Sequence, residues 1–238
     1  GSRLLVIDRK TGETEDKKYE DIVDYLQSGD VLVINDTKVI KARLTARRAD
    51  GKIRELVILE KHGKSDDWFV HRVLHRGKLK AGETLRVGDH ELVVLEVLGG
   101  GVASVKSDKD LLELAEEYGE PPLPPYLKRN ATKEDIKRYQ TVFASSDGSV
   151  AAPTASLNMT DEVLEKIKNK GVKVEHITLH VGLGTFLPIR EDEVEKHEMH
   201  HEYAMVPKRT VESIRGANRV IALGTTVVRT LEFFADDI

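Results

Sequence analysis

The chain has 238 residues, with 37 lysines and arginines against 41 aspartates and glutamates, and no cysteine. That length can bury a core without covalent staples, and the lack of cysteine excludes a disulfide framework and a thiolate zinc site. With a net charge of −4, any nucleic-acid contact has to come from a local basic patch, and no apolar run approaches membrane-spanning length.

The first residues, Gly1-Ser2-Arg3, are not a signal peptide, and the missing initiator Met reads as a processed, tagged or truncated end. Residues 4–8 read as a strand, followed by a turn at Lys10-Thr-Gly12. Residues 19–26 carry Ile22, Val23 and Leu26 at helical spacing and stop at Gly29. The apolar run at 31–34, ending in Asn35-Asp36-Thr37, is predicted to be a strand buried on both faces. Strand, helix, strand is α/β material.

From Leu44 the helical period disappears. Residues 54–60, 68–74, 84–87, 91–97 and 102–106 are strand-like and punctuated by glycines, which predicts a small antiparallel barrel or sandwich inserted into an α/β domain. Residues 111–118 read as a short helix, and Pro121-Pro-Leu-Pro-Pro125 as a stiff linker between two domains. Residues 160–170 form an amphipathic helix with Thr160 as N-cap and Gly171 beyond its end. A strand follows at 172–181, then short helices at 192–196 and 208–215. A buried strand at 220–223 leads through Gly224-Thr225-Thr226 into a last helix.

Four segments carry more polar detail than packing requires. Gly224-Thr-Thr-Val-Val-Arg229 joins a strand to a helix, where free N–H groups, two hydroxyls and Arg229 suit a phosphate or carboxylate; an ordinary turn capped by Thr225 or Thr226 is the plain alternative. His180 closes a strand just before Gly182 and Gly184, at the kind of strand end where α/β proteins hold ligands, although a tight glycine bend would look the same. His197, His200 and His201 lie near Glu195 and Glu202. Their spacing fits no known closed zinc set and a metal would need two more ligands; beside that reading stand a proton-exchanging pair next to a site and a solvated helix end. The basic residues Lys41, Arg43, Arg47, Arg48, Lys52 and Arg54 lie on or beside the barrel, a shape often used on RNA, with Trp68 as its one large aromatic.

Taken together, the motifs resemble the S-adenosylmethionine:tRNA ribosyltransferase-isomerase family of queuosine biosynthesis. The matching stretches are Ser2-Arg-Leu-Leu-Val6, Gly29-Asp-Val-Leu-Val-Ile-Asn-Asp-Thr-Lys38 with Ala42-Arg43-Leu44, Pro122-Leu-Pro-Pro-Tyr126, Arg138-Tyr-Gln-Thr-Val142 and Gly148-Ser-Val-Ala-Ala-Pro-Thr-Ala155. They continue, in order, with Leu179-His-Val-Gly-Leu-Gly-Thr-Phe186, His197-Glu-Met-His200 with Glu202, and Gly224-Thr-Thr-Val-Val-Arg-Thr-Leu-Glu232. Asn158 stands where the family has His, Lys41 stands where it has Pro, and the chain is expected to be truncated at both ends.

The resemblance implies an α/β fold with a mixed sheet, in which residues 1–43 and 109–238 form the catalytic domain and 44–108 an inserted antiparallel β-barrel. It implies transfer and isomerisation of the ribosyl part of S-adenosylmethionine onto 7-aminomethyl-7-deazaguanine at the tRNA wobble position, giving epoxyqueuosine with loss of adenine and methionine. S-adenosylmethionine is then a co-substrate. No cofactor, metal or membrane is expected, the location is cytoplasmic, and the oligomeric state is left open. His180, His197 and His200 are the implied acids and bases. The implied substrate contacts are Asp36, Arg43, Tyr139, Gln140, Ser149, Pro153, Thr154, Gly182, Gly184, Thr185, Glu202, Thr225, Thr226 and Arg229. Two other readings stay open: a non-catalytic RNA-binding relative that keeps the fold, and an S-adenosylmethionine-dependent transferase with another acceptor.

Overall fold

The computed structural model describes residues 2–60, 67–122, 132, 134, 138–182 and 201–237. The chain opens with a hairpin of β1 (Arg3–Ile7) and β2 (Thr14–Lys18). All five residues of β2 are exposed and charged or polar, so no apolar pattern announces it. Residues Tyr19–Tyr25 make a 3₁₀ turn rather than the predicted α-helix. None of its residues is fully buried, and Leu26, which is, has already left helical geometry. Tyr19, Ile22 and Val23 pack from this short turn against a buried cluster that includes Leu26, Val163 and Ile167.

β3 (Asp30–Asn35) is buried at all six positions because it is flanked and covered on every side. It runs parallel to β12 (Lys173–Leu179) on one edge and to β14 (Arg219–Ala222) on the other. Its alternate residues serve two layers. Leu32 and Ile34 pack with Val163, Leu164 and Ile167 of α2 (Asp161–Asn169), while Val31 and Val33 pack with Val227 and Leu231 of α4 (Thr225–Phe233) and Ile214 of α3 (Lys208–Arg215). β13 (Ala204–Met205) adds an antiparallel edge, so the sheet is mixed, in the order β13-β12-β3-β14. β14 lies at the other edge, and Val220 is 41% exposed, so this strand is not buried as its apolar sequence predicts. Thr160 caps α2 as expected, accepting from Val163 N. Across the β3–β14 pair, Arg219 holds Asp30 through two side-chain hydrogen bonds.

β4 (Thr37–Val39) pairs in parallel with β11 (Ser146–Ser149), a two-stranded link the sequence does not announce. Beyond β4 the chain enters a closed barrel of β5 (Arg43–Arg48), β6 (Ile53–Ile58), β7 (Val70–His75), β8 (Thr84–Val87), β9 (His90–Gly99) and β10 (Val102–Ser107). Closure leaves no free edge. Leu44, Ala46, Leu56, Ile58, Val73, Leu85, Leu92, Ala103 and Val105 fill the interior, and α1 (Leu111–Tyr118) adds Leu111, Leu114 and Ala115 to the same cluster. Each fully buried aliphatic side chain of this size contributes on the order of 1.5–3 kcal/mol. The way in and the way out are tied together, since Arg43 and Glu120 exchange two backbone hydrogen bonds. Gly119 allows this, because a Cβ there would collide with the carbonyls of Lys41 and Ala115. Pro121 and Pro122 are buried; the rest of the predicted proline linker and the predicted helix at 192–196 lie outside the described residues.

Candidate active site at the parallel strand ends

Because β12, β3 and β14 run parallel, their carboxyl ends fall on one side of the sheet. Three segments therefore meet there: Asn35-Asp36-Thr37, Leu179-His180-Val181-Gly182 and Leu223-Gly224-Thr225-Thr226. This is where open α/β sheets bind ligands. The sheet's own ladder ends here, and side chains take over its hydrogen bonds. Asn35 donates from Nδ2 to Leu179 O at 3.1 Å and accepts from Leu179 N at 3.0 Å. Asp36 accepts from Thr178 Oγ1 at 2.7 Å and from Ser145 Oγ at 3.1 Å, which fixes the chain ahead of β11. Thr37 Oγ1 lies 2.8 Å from His180 Nδ1. His180 is 2% exposed, its ring stacks on Tyr203 with centroids 5.7 Å apart, and its N–H donates to Tyr203 O.

Ser149 joins the second half of the chain to this edge. Its hydroxyl donates to Ala151 O at 2.8 Å and accepts from Val181 N at 3.0 Å, while Val150 N donates to Val181 O. Gly182 N–H donates to Glu202 Oε1 at 3.0 Å, and the other carboxylate oxygen of Glu202 accepts from Arg229 Nη1 of α4. Glu202's side chain is 5% exposed and that of Arg229 41%. α4 begins at Gly224, whose φ of 92° excludes most side chains, and neither threonine supplies a side-chain cap. A Cβ on Gly224 would stand 3.1 Å from Ala155 Cβ, which places the Pro153-Thr154-Ala155 turn against the start of α4. The hydroxyls of Ser156 and Thr226 are buried without a hydrogen-bond partner.

The fold thus brings together Asp36, Ser149, Pro153, Thr154, His180, Gly182, Glu202, Thr225, Thr226 and Arg229. Two other candidates sit on the neighbouring strap. Gln140 Oε1 accepts from Val39 N and its Nε2 donates to Val39 O, both at 3.0 Å, and Tyr139 helps line a cavity of about 240 Å³ between residues 38–41 and α1. Arg43 is not at the strand ends; it stands at the barrel entrance, within 3.9 Å of Glu55. His197, His200, Gly184 and Thr185 lie outside the described residues. Asn158 is exposed and accepts from Ser2 Oγ at 2.6 Å. The sequence reading missed Thr37, Asn35, Tyr203 and Glu60. A polar triplet straight after an apolar strand was the available signal for the first two; nothing local marks the others. Among the described residues no group of three or more His, Asp or Glu side chains is placed to hold a metal ion. No described helix is long and apolar enough to cross a membrane.

A mixed sheet with an added closed barrel and a buried polar set at its parallel strand ends defines an α/β protein with an enzyme-like site. The chain belongs to the queuosine biosynthesis protein family, whose profile matches residues 1–238. It is 49% identical over 237 residues to the S-adenosylmethionine:tRNA ribosyltransferase-isomerase of Pelodictyon phaeoclathratiforme, covering 97% of this chain and 68% of that protein. The protein of the same name from Francisella tularensis subsp. novicida is 43% identical over 97% of this chain and 69% of its own length. A solved S-adenosylmethionine tRNA ribosyltransferase from Thermotoga maritima is 31% identical, covering 98% of this chain and 65% of that one, with a TM-score of 0.42. The chain spans about two thirds of the length of these relatives.

Proposed function

We propose that this chain performs the reaction its relatives are named for, moving the ribosyl part of S-adenosylmethionine onto the aminomethyl group of a 7-deazaguanine in tRNA and isomerising it to epoxyqueuosine. The observation that carries the reading is the buried polar set at the strand ends, assembled from four distant stretches of sequence within a family match over the whole chain. The protons beside a sulfonium are acidic, so a base working near neutrality can remove one, and adenine needs a proton to leave. His180, held at Nδ1 by Thr37, is the proposed base or acid in the described part of the site. His197 and His200 are proposed partners in proton transfer, and Gly184 and Thr185 proposed substrate contacts. Arg229 is engaged by Glu202, so in this reading the methionine carboxylate rests on the first N–H groups of α4 with Thr225 and Thr226. Residues 44–108 are proposed as a barrel domain inserted into a catalytic domain of residues 1–43 and 109–238, and the protein as a cytoplasmic one that needs no cofactor.

The proposed tRNA contact is on the barrel. A groove of about 490 Å³ is lined by Arg47, Arg48, Thr84, Arg86 and Glu91. Arg47 and Arg86 face each other across β5 and β8; Glu91 pairs with Arg86 at 2.7 Å, and a phosphate between the two arginines would offset their remaining repulsion.

The test is to incubate the intact protein with S-adenosylmethionine and tRNA carrying the aminomethyl base, then analyse the nucleosides. Epoxyqueuosine with matching release of adenine and methionine is expected. Tight tRNA binding with no new nucleoside and no adenine would favour a non-catalytic RNA-binding protein.

A further inference from the structure

Glu60 takes no part in the reaction proposed above, yet it reaches the strand-end site from the barrel. It lies two residues beyond β6 and is 8% exposed. The segment that delivers it is anchored: Leu59 N donates to Arg72 O at 3.0 Å, and Leu59 O is bonded by His71 Nε2 at 3.1 Å. His71 in turn packs on Trp68, ring centroids 4.4 Å apart. The Glu60 carboxyl group then lies directly over Gly182. A Cβ built on Gly182 would stand 2.6 Å from Glu60 Cδ, 2.6 Å from Oε1 and 2.9 Å from Oε2. Real Cβ atoms do not approach that closely. Gly182 does not have a positive φ, so backbone freedom is not what it supplies. What it supplies is the absence of a side chain. On its other side the same residue donates its N–H to Glu202, which holds Arg229.

We propose that Glu60 is a positioning residue: the barrel presses its carboxyl group onto the side-chain-free face of Gly182 and so sets the Gly182 peptide that orients Glu202 and Arg229. The barrel thereby fixes geometry in a site it also reaches through Val150, which packs in the barrel's core cluster and donates its N–H to Val181 O. The turnover measurements below rest on the proposed reaction; the unfolding measurements do not.

The experiment is a double-mutant cycle in the intact protein with Glu60→Ala, Gly182→Ala and the pair, with Glu60→Gln as the same-shape control. A misplacement of this kind costs about 10- to 100-fold in turnover. Glu60→Ala is expected to lower kcat by about that factor, with KM for S-adenosylmethionine nearly unchanged and a melt close to wild type. Glu60→Gln should restore most of kcat. Gly182→Ala should lower kcat to about the level of Glu60→Ala by pushing the flexible carboxylate aside, at a small cost to the unfolding midpoint, and both effects should largely vanish in the Glu60→Ala background, because the two act through one contact. Wild-type kcat in Glu60→Ala, failure of Glu60→Gln to restore it, or additive shifts in the cycle would each overturn the proposal. If the wild-type protein makes no epoxyqueuosine, the reaction is refuted instead; Glu60 is then judged on the unfolding midpoints alone, where additivity refutes it and coupling supports it.

Discussion

Inside the barrel, Leu44, Leu56, Leu85 and Leu92 are 0% exposed; at the ends of β3 and β12, Asn35, Thr37 and Ser149 are 0% exposed and His180 is 2%. The two regions are equally dry and filled with opposite chemistry. Burying a leucine stabilises whatever its exact partners, provided that the volume is filled. Burying a hydroxyl, an amide or an imidazole gains little and costs heavily if a partner is missing. Asn35, Asp36, Thr37, Ser149 and His180 all have partners, many of them more than 100 residues away. Such a set specifies one arrangement of the strand ends, whereas the barrel specifies only a shape.

That contrast predicts a separation of effects, largest first. His180→Ala, at the polar end, should lower turnover by about 100- to 10,000-fold while S-adenosylmethionine still binds, and should also lower the melt, because it leaves the buried Thr37 hydroxyl without its partner. Near-normal turnover in the folded variant would remove His180 from the chemistry and shift the proposed role to His197 or His200. Leu56→Ala, in the barrel, should cost stability alone: about 2–5 kcal/mol less stable by denaturant unfolding, with kcat per folded molecule unchanged. A large kcat effect there would mean that the two regions are more tightly coupled than the Glu60 contact alone provides.

A smaller effect tests the outside of the barrel. Arg48 is tied to Glu83 and Asp50 and Arg86 to Glu91, and the pair to remove is Arg47 with Arg86, which face each other across β5 and β8. Replacing both with Ala should weaken tRNA binding about tenfold near physiological salt and flatten its salt dependence. Unchanged affinity would take the groove out of the interface. The smallest effect concerns the β3–β14 edge. The Arg219 guanidinium, by hydrogen bonding, holds the Asp30 carboxyl below its usual range. A folded-state value below the unfolded one means that the contribution is present above about pH 4 and fades as pH falls through the folded value. Urea midpoints between pH 6 and pH 3 should therefore drop further for wild type than for Arg219→Met. Equal drops would assign the acid sensitivity elsewhere.

The barrel was legible because its strands announce themselves locally. β8 alternates exposed and buried residues, and glycines break the run at each turn. β3 was legible for the opposite reason, as an unbroken apolar run. β2 was not, since Thr14–Lys18 bury nothing and pair only because β1 lies alongside. Residues 19–26 misled because Ile22, Val23 and Leu26 do pack against the core, but from a 3₁₀ turn and the extended residue after it, which share that spacing with an α-helix over so short a stretch. At the strand ends, His180, Gly182 and Ser149 stood out as residue types, but their partners did not. No local pattern tells that Thr37 meets His180, or that Glu60 meets Gly182; those pairings exist only once a parallel sheet and a closed barrel have been laid against each other.

The order of the strands has a consequence during synthesis. Every barrel strand lies between Arg43 and Ser107, so that body can close as soon as the stretch has left the ribosome. β3 cannot. Its four-residue apolar run, Val31–Ile34, precedes the barrel, while its two neighbours end only at Leu179 and Ala222. At about 5–20 residues per second, the strand waits roughly ten seconds or longer for a partner. Once Ser107 has emerged, and until Leu179 follows, a finished barrel sits beside an unpaired, sticky segment. The nascent chain is therefore expected to be a chaperone client at residues 30–35, a state that crosslinking of stalled ribosome complexes would detect until residue 222 emerges.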